Sequence, residues 1–405
     1  MPNLHQLKSF IQSLFKSTKM MGRRLLPDAN RPIQASLIQS QPLSASSEVA
    51  SLLPSSSEPQ VQIQVQAQVP ISANDSDPIS STPQNSKPEV EKDIALEIAT
   101  PSIGEPPPQA STFTQSVFMF EGVPYPFRLY IPSTPGSTDS SGPSRMPLMV
   151  LLHGCTQNAE DFARGTTMNV LAEQNHCMVL YPEQVAKSNS AKCWNWYEPG
   201  HQQSGRGEPG MIAAMTQSVL ASDDLLRQAD PDRVYIAGLS AGGAMAAMVS
   251  SLYPDIFAAL GVHSGLAAGS AQNLMSAFGA MRNGAPGVTI QALPTIVFHG
   301  TADKTVNPNN GEFITQAALT ALAAKGLPLE KSHSTVNGNT DKTTARTDYR
   351  AANGRSYVEH WLVDTGAHAW SGGDATGTYT DPVGPSASAA MLAFFLQHHK
   401  QPNPD

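Results

Sequence analysis

Ser240 stands in Gly238-Leu239-Ser240-Ala241-Gly242-Gly243, after the apolar, β-branched run 234–237 and before the small-residue, helix-forming run 244–249. A Gly-x-Ser-x-Gly sequence between a strand and a helix holds its serine at a sharp turn, with glycines where a Cβ would strike neighbouring backbone. A serine hydroxyl attacks a carbonyl only when a base takes its proton and a third group orients that base. Where such an elbow is used, the partners follow in the order serine, acid, histidine, each on a loop at the carboxyl end of a strand. One loop reads His299-Gly300-Thr301-Ala302-Asp303, after the apolar run 295–298, and offers Asp303. A later one, Asp364-Thr365-Gly366-Ala367-His368-Ala369-Trp370, follows a run ending at Val363 and offers His368. Asp364 is the competing acid, but it belongs to the strand end rather than to the earlier loop.

Ester cleavage by this route builds negative charge on the former carbonyl oxygen, and preorganised backbone N–H groups stabilise it. Ala241, first in the elbow helix, is one expected donor. The other is expected in His153-Gly154-Cys155-Thr156, after the apolar run 147–152, with Cys155 first and Thr156 second. His153 and His299 each precede a glycine at a strand end and are read as shaping their turns. His263, also at a strand end, is a candidate pocket residue. Trp194, Trp196 and Trp370 lie in loops beside the expected site, as substrate contacts or as packing beneath the loops. Arg206 and Glu208 are expected to pair with each other.

These residues need a scaffold, and the pattern around them supplies one. Residues 116–120 and 126–131 read as antiparallel strands about a turn at Glu121-Gly122. Strands at 147–152, 178–181, 233–237, 257–262, 295–298 and 357–363 alternate with helices at 159–175, 209–229, 244–249 and 386–398. That predicts an α/β domain with a mainly parallel central sheet covered by helices on both faces. Residues 265–292 are expected to form either a small flap or a connecting helix. Ahead of this domain, 113–405, come two other segments. Residues 27–112 are rich in Ser, Pro, Gln and Ala, which predicts a disordered linker. Residues 1–26 place Leu7, Ile11, Leu14 and Phe15 on one helical face beside Lys8, Lys16, Lys19, Arg23 and Arg24. This basic amphipathic segment is either a contact for a membrane or granule surface or a frayed tail.

The 405 residues carry a net charge of −8, which argues against a nucleic-acid partner. No apolar run approaches the roughly 20 residues of a membrane-spanning helix. Cys155, Cys177 and Cys193 have no metal-binding spacing, so no metal is expected, and the chemistry requires no cofactor. Their spacing leaves open one disulfide or three free thiols.

Several of these strings together resemble the poly(3-hydroxybutyrate) depolymerase family of esterases. They are Leu152-His153-Gly154-Cys155-Thr156-Gln157, Tyr181-Pro182-Glu183-Gln184, Cys193-Trp194-Asn195-Trp196 and Gly205-Arg206-Gly207-Glu208-Pro209, with the Ser240 elbow and Gly366-Ala367-His368-Ala369-Trp370-Ser371-Gly372-Gly373. The resemblance runs from about residue 113 to the end. It implies an α/β-hydrolase fold, a Ser240, Asp303, His368 triad, a Cys155–Cys193 disulfide, and an extracellular esterase related to feruloyl and acetylxylan esterases. The amino terminus lacks the pattern of a secretory signal peptide, which makes the cytoplasm the alternative. The expected function is serine carboxylic-ester hydrolysis of oligo- or poly(3-hydroxybutyrate) or short acyl esters. A non-catalytic binding protein of granule or membrane surfaces is the alternative from another class.

Overall fold

A computed structural model gives the fold, described for residues 109–133, 145–222, 228–288, 291–337 and 343–400. The basic segment 1–26 and nearly all of the stretch 27–112 lie outside the described residues. Six parallel strands form the middle of one sheet: β3 (Met146–Leu152), β4 (Met178–Pro182), β5 (Ala229–Leu239), β6 (Ala259–His263), β7 (Thr295–Gly300) and β10 (Ser356–Val363). Antiparallel pairs extend both edges: β1 (Thr112–Phe120) with β2 (Val123–Ile131), and β8 (Glu330–Asn337) with β9 (Thr343–Arg350). The spatial order is β1-β2-β4-β3-β5-β6-β7-β10-β9-β8.

The strand periodicity of two explains why unbroken apolar runs serve here. In β3, Leu148, Val150 and Leu152 join one core while Met149 and Leu151 join the other. On the first face these residues meet α3 (Gly207–Leu220), α4 (Ala241–Leu252) and α6 (Asn309–Ala324) through Met211, Met245 and Ile314. The second face is covered by α1 (Ala159–Thr166), α2 (Met168–Gln174) and α7 (Ala387–Phe395) through Phe162, Met168 and Phe395. The segment after β6 carries α5 (Leu274–Asn283), and Leu266, Ala267, Ala271, Ala277 and Ala280 bury into the core. That is the connecting helix, not the flap.

Two expectations change, and one element was not expected. The helix expected over 159–175 is two helices, because Thr167 turns left-handed (φ 54°) between them. The helix expected over 209–229 stops at Leu220, and β5 already begins at Ala229. The β8–β9 hairpin was not anticipated from sequence. The residues of β8, Glu-Lys-Ser-His-Ser-Thr-Val-Asn, are almost all exposed and carry no hydrophobic alternation.

Candidate active site

The carboxyl ends of the parallel strands gather the expected groups. β5 delivers Ser240 at φ 57°, ψ −120°, and α4 starts at the next residue. The Ser240 N–H donates to the His263 carbonyl at 2.9 Å, and the Ser240 carbonyl accepts from Ala244 N–H at 2.9 Å. A Cβ on Gly242 would lie 2.1 Å from the Leu152 carbonyl oxygen and 2.5 Å from that of His153. One on Gly238 would lie 2.4 Å from Gly242 backbone. The glycines therefore allow the loop after β3 to press against the first turn of α4.

Asp303, in the loop after β7, is fixed on both oxygens. Its Oδ1 accepts the N–H groups of Thr305 (2.8 Å) and Val306 (2.9 Å). Its Oδ2 accepts a hydrogen bond from His368 Nδ1–H at 2.7 Å. The His299 Nε2 lies 3.5 Å from the same oxygen and bonds the Val306 carbonyl at 2.9 Å. Burial alone would push the Asp303 carboxyl up; the His299 and His368 contacts outweigh it and hold the group well below the usual carboxylate range. Because His368 Nδ1 faces a carboxylate, its proton belongs there and Nε2 keeps a free lone pair. No hydrogen bond joins Ser240 Oγ to His368 among the described residues; such bonds often form fully only with substrate bound. Asp364 stands apart at the exposed end of β10, accepting from the Thr301 hydroxyl at 3.4 Å.

The two expected anion donors face no protein acceptor: neither Cys155 N–H nor Ala241 N–H makes a hydrogen bond among the described residues. The second choice, Thr156, is occupied, since its N–H donates to the Ala191 carbonyl at 2.6 Å. Cys155 and Cys193 form a disulfide, with Cα atoms 4.2 Å apart, and Cys177 is a buried free thiol. Burial pushes the His153 imidazole down to about 4, against a raising bond to the Gly154 carbonyl, so the ring is neutral at pH 7. Gln184 N–H donates to its Nε2 at 3.1 Å, leaving Nδ1–H for the Gly154 carbonyl at 2.7 Å. His153 thus shapes the turn, as expected.

The tryptophans and His263 require correction. Trp194 and Trp370 have no accessible surface, and Trp196 keeps 4 %. Trp194 Nε1–H donates to the His153 carbonyl at 3.1 Å, bracing the loop from beneath. Trp370 Nε1–H donates to Ser388 Oγ at 3.0 Å. Trp196 packs edge-on against Tyr197. His263 is sealed between the rings of Phe298 and Trp370, at 5.7 and 5.1 Å. Burial, reinforced by His299 and His368, pushes its imidazole down to about 3. Its Nε2 accepts Ser371 N–H at 3.0 Å. All four side chains are buried, so packing beneath the loops is the role their position fits rather than substrate contact.

Arg206 and Glu208 do not pair. Arg206 bonds Gln203, while Glu208 is buried and accepts from Gln184 Nε2 (2.5 Å), Asn195 N–H (2.7 Å) and Asn195 Nδ2 (2.6 Å). Burial raises its carboxyl above the usual range, against His201 and these donors. This network ties the start of α3 to the disulfide-bearing loop. Sequence reasoning missed it, as it missed Gln157, whose Oε1 accepts Gly154 N–H at 2.9 Å and whose Nε2 donates to the Thr378 carbonyl at 2.8 Å. The signal was present: each of these residues lies inside one of the quoted strings.

Six parallel strands, a strained serine after β5 and an Asp–His pair from the loops after β7 and β10 define an α/β-hydrolase. The chain belongs to the esterase PHB depolymerase family, whose model matches residues 126–358. It is 31 % identical over 258 residues to the poly(3-hydroxyalkanoate) depolymerase C of Paucimonas lemoignei, covering 60 % of this chain and 58 % of that one. A feruloyl esterase B of Neurospora crassa is 31 % identical over 182 residues, covering 40 % and 60 %. The match thus spans less than two thirds of the length of these relatives. Among solved structures, an acetyl xylan esterase from Aspergillus awamori aligns with a TM-score of 0.49 at 17 % identity, over 67 % of this chain and 94 % of that one.

Proposed function

We propose that the chain is a serine carboxylic-ester hydrolase. The observation that carries this reading is Ser240 at a positive-φ elbow, with two unengaged N–H groups nearby and an Asp303–His368 bond at 2.7 Å in the neighbouring loops. In this reading His368 Nε2 takes the Ser240 proton as Oγ attacks the ester carbonyl. Asp303 holds the imidazole in the required tautomer and stabilises the imidazolium that forms. The N–H groups of Cys155 and Ala241 receive the oxyanion, each worth roughly 3 to 4 kcal/mol of barrier. The imidazolium then protonates the departing alcohol, and the neutral imidazole activates water to release the acid from Ser240.

For the substrate, we favour oligomers or polymers of 3-hydroxybutyrate, or short acyl esters, on the strength of the depolymerase relatives. The feruloyl esterase relative supports a second reading, feruloyl or acetylxylan esters. The disulfide fits an oxidising compartment, and we place the protein outside the cytoplasm. The test is hydrolysis of p-nitrophenyl butyrate, hydroxybutyrate trimer and methyl ferulate by wild type and Ser240→Ala. Loss of all hydrolysis in a folded variant is expected. An unchanged rate would overturn the assignment, and preference for the ferulate would favour the second substrate reading.

A further inference from the structure

Glu208 is a carboxylate that the triad chemistry does not use, yet it lies in the first turn of α3 with only 1 % of its surface exposed. Burying such a group costs free energy unless donors meet it. The dipole of α3 favours a carboxylate at this end, and three donors converge on its two oxygens. Gln184 Nε2–H and Asn195 Nδ2–H reach Oε1 at 2.5 and 2.6 Å, and Asn195 N–H reaches Oε2 at 2.7 Å. His201 Nδ1, 3.6 Å from Oε2, already accepts the Glu208 N–H at 3.0 Å. A carboxylate accepts all three bonds at once. An amide of the same shape cannot, because its NH2 group would face one of the donors.

The partners of Glu208 are the residues that hold the loop after β3. Gln184 Nε2 also donates to the Cys193 carbonyl at 3.1 Å, and Gln184 N–H donates to His153 Nε2 at 3.1 Å. Asn195 follows Trp194, whose indole N–H holds the His153 carbonyl at 3.1 Å. Cys193 is joined to Cys155 by the disulfide. Gln184 and the segment 193–195 thus restrain residues 153–155, and both close on one buried carboxylate. We propose that Glu208 is a positioning residue for the oxyanion site, acting through Gln184 and Asn195 to fix the Cys155 N–H. This role rests on the esterase reading above, in which that N–H receives the oxyanion. A donor moved slightly out of line loses more in the transition state, where the charge forms, than in the ground state, so the loss falls on kcat.

Glu208→Gln in the full chain tests this, with p-nitrophenyl butyrate as substrate and active sites counted by fluorophosphonate titration carried to completion. Counting sites keeps unfolded protein out of the rate. The turnover per site is expected to fall about tenfold while KM stays within about twofold. A trifluoromethyl ketone, whose adduct carries an oxyanion, should bind about tenfold more weakly. Gln184→Met cuts the branch to Cys193 while leaving Asn195 on Glu208; it should give the same pattern, and it decides the matter if Glu208→Gln does not fold. An unchanged turnover per site, a change confined to KM, or a fall in turnover with undiminished ketone binding would overturn the role of Glu208. Ser240→Ala, assayed alongside, reads the esterase assignment separately: hydrolysis that persists there overturns that assignment instead.

Discussion

Ser240 sits where a non-glycine residue costs about 1 to 3 kcal/mol, at φ 57° and ψ −120°. Its backbone is clamped by bonds to His263 and Ala244, so surrounding structure maintains the strain. Asp303 has a second kind of tension: a buried carboxylate kept ionised by two backbone N–H groups and two histidines. Asp303→Asn should lower kcat by roughly 10⁴-fold, because the amide no longer enforces the tautomer with Nε2 free. The same variant has a signature in stability. A carboxyl whose folded pKa is depressed contributes fully above its unfolded value near 4, and that contribution is lost as pH falls below it. Wild type should therefore lose stability on acidification below about pH 4 more steeply than Asp303→Asn. Urea unfolding at a series of pH values measures both slopes, and equal slopes would contradict the account.

At the scale of elements, the loop after β3 is held from several directions. The disulfide to Cys193, the Trp194 bond to the His153 carbonyl and the Gln157 bond to Gly154 all restrain the segment that carries Cys155 N–H. Cys193→Ser should lower unfolding free energy by about 2 to 4 kcal/mol, and should reduce kcat more than it changes KM, since the oxyanion donor loosens. Gly242→Ala is more severe, because its Cβ would meet the Leu152 carbonyl oxygen at 2.1 Å; a large fall in melting temperature together with lost activity is expected. The elbow and the two partner loops were legible in the sequence because strand, turn and glycine signals coincide there. The direction of the tryptophans was not legible: an aromatic in a loop reads the same whether it faces a substrate or the core. Nor was the β8–β9 hairpin, whose polar strands, β8 exposed and β9 mostly half-buried, pair through backbone and leave no apolar pattern. The break at Thr167 was equally silent, as helix periodicity continues across it.

At the scale of the whole molecule, among the described residues burial pushes the imidazoles of His153, His263 and His398 down to about 4, 3 and 4, which keeps them neutral when folded at pH 7. Each is neutral when folded yet takes up a proton when unfolded below about pH 6.5, so stability falls as pH drops from 6.5 toward 4. The slope should reach about 1.4 kcal/mol per pH unit for each histidine, and chemical denaturation across that window measures it. A flat profile would mean that these rings are protonated in the folded state. In the proposed reading the disulfide, the glycine-mediated contacts, His153 and His263 all brace one nucleophilic serine, although the chain is rich in serine. The most direct test of that claim is labelling with a fluorophosphonate followed by intact and peptide mass measurement. The account predicts one adduct per chain, on Ser240, formed far more slowly in His368→Ala. No adduct, or an adduct on a different serine, would contradict it.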